Sequence, residues 1–85
     1  MSLHVEWTPA AERDLRRLDR RTQTRIRLRV TRFATMGEGD VRRLRGYERE
    51  WRLRVGQWRV RFTLSPDLQT LIVLRVLPRG QAYRT

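Results

Sequence analysis

Trp51-Arg52-Leu53-Arg54-Val55-Gly56-Gln57-Trp58-Arg59-Val60-Arg61-Phe62 decides the fold. Two runs of five residues alternate apolar side chains with arginine, the period of a half-buried strand, and Gly56-Gln57 between them suits a two-residue type II′ turn. Closing that turn pairs Val55 with Trp58, Arg54 with Arg59, Leu53 with Val60, Arg52 with Arg61 and Trp51 with Phe62. One face of the hairpin is then apolar and enters a core, while the other holds four guanidinium groups in two cross-strand pairs. Like charges facing each other cost up to about 1 kcal/mol per pair. No acid lies on that face: Glu48 and Glu50 precede the hairpin and Asp67 follows it. The sequence therefore predicts neutralisation from outside, for which a phosphate chain is suited. A solvated arginine face is the competing reading.

Beyond the hairpin, Ser65-Pro66-Asp67 makes a turn, and Leu71 to Val76 is almost continuously apolar, as in a strand covered on both faces. Towards the N-terminus, Leu3, Val5 and Trp7 alternate with His4 and Glu6 as a first strand. Thr8 then offers an N-cap oxygen, and Pro9 fits the first helical turn. Ala11, Leu15 and Leu18 follow at helical spacing, with Arg13, Arg16, Arg17 and Arg20 on the other side and Glu12 and Asp14 in the first turn. Residues Thr22 to Met36 fit two periods, since Ile26, Leu28 and Val30 alternate while Thr22, Ile26, Val30 and Phe33 form a helical stripe. Fifteen residues without glycine or proline, ended by Gly37 and Gly39, favour a helix. Leu28 then stands off the stripe, half exposed or under a partner. Asp40 to Leu44 makes a short strand, and Arg45 to Glu48 a connection. The expected class is α+β, in the order β-α-α-β-β-β, with two N-terminal helices packed on an antiparallel sheet. Residues 1–85 are expected to form a single domain, because a second core needs roughly 50 residues of its own.

The 20 basic and 9 acidic residues leave a net charge of +11, which draws phosphate polymers, acidic proteins or anionic membranes, with nucleic acid leading. Every basic residue is arginine, whose fork suits bidentate phosphate contacts, although genomic base composition produces the same bias. There is no cysteine, so disulfide scaffolds, thiolate chemistry and finger-type zinc sites are excluded, and neither metal nor cofactor is expected. The chain opens without a signal-like segment and has no apolar run near the roughly 20 residues of a membrane span, so no membrane partner and a cytoplasmic location are expected. His4 is the single histidine, read as structural, and a catalytic histidine pair is impossible. After the last strand come Arg79, Tyr83 and Arg84. A tyrosine among arginines stacks on a base or has its phenol pKa lowered by the positive field; a tail tyrosine packed on the core is the alternative.

Taken together, Trp7-Thr8-Pro9-Ala10-Ala11, Arg13-Asp14-Leu15, Arg43-Leu44-Arg45-Gly46, the arginine hairpin and Leu74-Arg75-Val76-Leu77-Pro78-Arg79-Gly80-Gln81-Ala82-Tyr83-Arg84 resemble the RelE/ParE toxin superfamily over nearly the whole chain. The likeness is nearest to the RelE-like messenger-RNA endoribonucleases of bacterial type II toxin–antitoxin systems. It implies one RelE-like toxin domain over 1–85: a ribosome-associated enzyme that cleaves messenger RNA in the decoding site and is silenced by a co-expressed antitoxin. The antitoxin is expected to be acidic, and DNA is met only indirectly, through the toxin–antitoxin complex.

The chemistry so implied is attack of a ribose 2′-hydroxyl on the adjacent phosphate. The matching positions are Arg52, Arg54, Arg59, Arg79 and Tyr83, with Arg59, Arg79 and Tyr83 read as catalytic and Arg52 and Arg54 on RNA phosphates; Arg61 on the hairpin face and Arg84 beside Tyr83 join the RNA-binding set by position alone. Some members carry lysine where Arg52 and Arg54 stand. Arginine is a poor general base, so the arginines are cast as clamps on the scissile phosphate and Tyr83 as the proton carrier. Two rivals share this fold or surface: a ParE-like inhibitor of DNA gyrase, and an RNA- or ribosome-binding module without chemistry.

Overall fold

The computed structural model describes residues 2–81. Strand β1 (His4–Trp7) leads into helix α1 (Pro9–Arg16), helix α2 (Arg20–Met36) and strands β2 (Asp40–Arg43), β3 (Trp51–Val55), β4 (Trp58–Leu64) and β5 (Thr70–Pro78). Thr8 caps α1 as its chemistry suggests. Its Oγ1 accepts from the Ala11 amide at 3.1 Å and donates to the Leu74 carbonyl at 3.0 Å, pinning the helix start to the last strand. The ambiguous segment is a helix, and Gly37 ends it with φ 75°, its amide bonded to the Phe33 carbonyl.

The sheet runs β1-β5-β4-β3-β2. Strands β2 to β5 form the expected antiparallel meander, and the hairpin register matches the sequence pairing at all five positions, from Val55 with Trp58 to Trp51 with Phe62. The one departure from an antiparallel sheet is at its edge, where β1 lies parallel to β5, pairing His4–Trp7 with Thr70–Val73. A parallel partner needs a crossover, and α1 and α2 provide it. At the turn, φ is +58° at Gly56 and not positive at Gln57, the signature of type II′.

Both helices cover one face. Ala11 and Leu15 of α1, and Ile26, Val30 and Ala34 of α2, are buried against Leu53, Val55, Val60, Phe62, Leu71, Val73 and Val76 of the sheet. Burying an aliphatic side chain of this size contributes about 1.5–3 kcal/mol, so this layer carries the fold. The near-continuous apolar run of β5 has a local cause as well as a burial one. Arg61 pairs with Arg75 but Phe62 pairs with Val73, so Leu74 is an extra residue in a bulge. The bulge advances the alternation by one, and the core positions become Leu71, Val73 and Val76 rather than Leu71, Val73 and Arg75.

Asp14 was expected to act as an acid in the first turn of α1; it is instead buried at the inner side of the helix. Its carboxylate accepts from Arg75 Nε at 2.8 Å, from a second guanidinium nitrogen at 3.1 Å and from the Val76 amide at 2.8 Å. Hydrogen bonding to Asp14 raises the Arg75 guanidinium above its ordinary pKa, so the guanidinium keeps its charge.

Candidate functional site

The sheet face away from the helices carries the arginines, and the structure divides them into two groups. Arg52 reaches back across to β2, donating to the Asp40 carbonyl at 3.0 Å and to its carboxylate at 3.3 Å. Arg61 forms an ion pair with Glu50 and lies over the Tyr47 ring at 4.6 Å, with its side chain only 11% exposed. Both therefore have acidic partners, which corrects the expectation that no counter-ion was at hand: Asp40 arrives through the β2 pairing, and Glu50 folds back from just before β3. The Tyr47 hydroxyl and Arg61 Nε are buried without hydrogen-bond partners among the described residues.

The second group gathers at the turn end of the hairpin. Arg54, Gly56, Gln57, Arg59 and Arg79 line a recess of about 270 Å³, together with Arg25 from α2. Arg59 is 7% exposed and is braced by donating to the Gly56 and Trp58 carbonyls at 2.9 and 3.1 Å. Arg79 is exposed, yet its backbone is fixed by a 2.8 Å bond from its amide to the Gln57 carbonyl. Arg54 projects into solvent from β3. None of these four guanidinium groups has an ion-pair partner among the described residues. Three elements and the segment just after β5 thus deliver four cations to one small concavity, an arrangement suited to the oxygens of a phosphate.

Of the positions expected to act on RNA, Arg54, Arg59 and Arg79 come together, Arg52 and Arg61 are engaged beside them, and Tyr83 and Arg84 lie outside the described residues. Arg25 is an addition. Its side chain crosses from the helix layer to the hairpin, and a Cβ on Gly56 would stand 3.1 and 3.2 Å from its two terminal nitrogens. Nothing local in the helix marks Arg25 among its neighbouring arginines. The glycine thus serves twice, supplying positive φ and leaving room for the guanidinium. Gly56→Ala is expected to cost about 1–3 kcal/mol in strain and to push Arg25 outward, read as a lower urea midpoint.

His4 is exposed on β1, away from the recess. Among the described residues no helix is long and apolar enough to cross a membrane.

Comparison with known proteins agrees with this architecture. Residues 5–83 match the family model described as the ParE toxin of the type II toxin–antitoxin system parDE. Among solved structures, the archaeal RelE–RelB complex from Pyrococcus horikoshii superposes with a TM-score of 0.76 at 22% identity, covering 96% of this chain and all of that one. The RelB–RelE complex from Methanococcus jannaschii gives 0.74 at 24%, covering 92% and 94%. The RelBE2 toxin–antitoxin complex from Mycobacterium tuberculosis gives 0.67 at 26%, covering 93% and 100%. No curated protein sequence matches the chain. With the family model spanning nearly its whole length and the fold shared with the RelE structures, the chain belongs to the ParE toxin family of type II toxin–antitoxin systems, within the RelE/ParE superfamily.

Proposed function

We propose that this toxin is a ribosome-dependent endoribonuclease acting on messenger RNA. The observation that carries the reading is the recess of Arg25, Arg54, Arg59 and Arg79, which gathers positive charge where the reaction would develop negative charge. In the proposed reaction a ribose 2′-hydroxyl loses its proton and its oxygen bonds to the adjacent phosphorus. The bond from phosphorus to the 5′-oxygen breaks, and that oxygen takes up a proton. The products are a 2′,3′-cyclic phosphate and a 5′-hydroxyl. Arg54, Arg59 and Arg79 hold the non-bridging oxygens, and Arg25 closes the recess from the helix side. Tyr83 is assigned the proton transfer, because arginine stays protonated and no histidine other than His4 exists.

With one phenol as proton carrier the intrinsic rate is low, and the ribosome supplies orientation of the RNA. An acidic antitoxin is the proposed partner that silences the enzyme in the cell.

Primer extension on messenger RNA bound to purified ribosomes tests this. Wild-type protein is expected to cut in the decoding site, and Tyr83→Phe to slow single-turnover cleavage by about 10²-fold or more while leaving binding nearly unchanged. Equal losses in rate and binding would remove the proton-transfer role.

A second reading, inhibition of DNA gyrase, is favoured by the description of the matching family as ParE. It requires protein binding rather than a phosphate clamp. Folded wild-type protein that leaves messenger RNA intact yet blocks gyrase supercoiling would replace the first reading with the second.

A further inference from the structure

Helix α2 has the sequence Arg20-Arg21-Thr22-Gln23-Thr24-Arg25-Ile26-Arg27-Leu28-Arg29-Val30-Thr31-Arg32-Phe33-Ala34-Thr35-Met36, with six arginines and no acid. Ile26, Val30 and Ala34 enter the core, and Arg27 pairs with Glu12 of α1 at 2.9 Å. The opposite stripe belongs to no packing layer. Arg21, Arg25, Leu28, Arg29 and Arg32 line a broad open groove along it, and none of these arginines has an ion-pair partner among the described residues. Leu28, at the centre, is 63% exposed. Arg25 lines both this groove and the recess at the hairpin turn, so the two cationic features are continuous through one side chain.

We infer that the outer face of α2 is a phosphate track for an RNA strand, leading into the recess at Arg25. Three observations favour RNA backbone as its occupant. The charge is all of one sign and all guanidinium, which suits bidentate contact with successive phosphates. Arg21, Arg25 and Arg29 are each separated by four residues, a rise of about 6 Å per step, the same order as the distance between neighbouring phosphates of an extended strand. The track ends at a second cation cluster rather than in solvent. Leu28 between the arginines then gives an apolar surface for a ribose or the face of a base, which accounts for an exposed leucine amid charge. The inference rests on the RNA-directed reading of the recess and extends it: the track holds nucleotides that do not react, and so contributes binding and register rather than chemistry.

The test is anisotropy of a short labelled single-stranded RNA titrated with the purified chain across a salt series. It uses wild type, the track variant R21Q/R32Q and the control R13Q/R16Q, which removes the same charge from exposed positions of α1. Glutamine is a good helix former, so both variants keep their helices. Two lost phosphate contacts are expected to reduce the slope of log affinity against log salt by about 1.4 in the track variant. The control slope is expected to stay at the wild-type value.

An unchanged slope in R21Q/R32Q, or an equal fall in both variants, would overturn the track and leave only a diffuse positive field. So would binding of a polyglutamate peptide that R21Q/R32Q loses while its RNA slope is intact, since that result assigns the face to an acidic protein. Because the measurement needs no cleavage, it stands apart from the primer-extension test of the nuclease.

Discussion

Asp14→Ala is expected to lower the unfolding free energy by about 3 kcal/mol, a large part of what a domain of this size possesses. The carboxylate is 8% exposed and receives three hydrogen bonds, two from Arg75 and one from the Val76 amide. Its loss leaves a backbone N–H without its acceptor and a guanidinium without its counter-charge. The Arg75 side chain is 45% exposed, so water takes over part of the cation's solvation, and the figure sits at the lower end for a broken buried pair. Urea unfolding followed by tryptophan fluorescence measures the change. Asp14→Asn separates the contributions: it keeps one acceptor oxygen for Val76 and loses the charge together with the second acceptor facing Arg75, so about half of the effect is expected to remain. A loss below about 1 kcal/mol in Asp14→Ala would show that the Asp14 carboxylate does little to hold α1 to β5.

The largest functional effects are expected at Arg79 and Arg59. Each is assigned a clamp on developing phosphate charge, and removing one such donor typically lowers a rate by about 10²–10³-fold. Arg79→Ala is the cleaner of the two. Its side chain is exposed and its backbone is held independently through Gln57, so the fold is expected to be unaltered and the whole loss to appear in single-turnover cleavage. Arg59→Ala also removes two hydrogen bonds to the turn carbonyls and should add a stability loss of about 1–2 kcal/mol to a similar loss of rate. Both variants are expected to relieve growth arrest on induced expression. Arrest that persists in both would direct attention to a target other than RNA.

The hairpin was legible residue by residue because strict alternation and a glycine turn leave a single register, and the structure reproduces it. The helix over 20–36 was legible from length and its closing glycines. What the sequence concealed was set by distant parts of the chain. The parallel pairing of β1 with β5 has no local signature, because it joins residues more than sixty positions apart. The bulge at Leu74 hid the phase of β5 behind an apolar run. The counter-ions of Arg52 and Arg61 were hidden for a similar reason. Asp40 meets Arg52 only once β2 is paired with β3, and Glu50 reaches Arg61 from outside both hairpin strands. Within the candidate site, Arg54, Arg59 and Arg79 were named in advance. Arg25 was not, because its role depends on the reach of a long side chain across two layers.

The place of β5 in the sheet bears on when the protein becomes dangerous. The last strand lies between the first strand and the rest of the meander, and Arg79 follows directly from it. During vectorial synthesis β1 to β4 emerge first, yet β1 has no sheet to join and the recess lacks one of its walls. Closing the core and completing the cation cluster are therefore the same event, delayed until the strand with the most distant contacts has been made. Until β5 is made, a growing chain lacks both its closed core and Arg79, so the cation cluster proposed as the site is completed only with the finished fold.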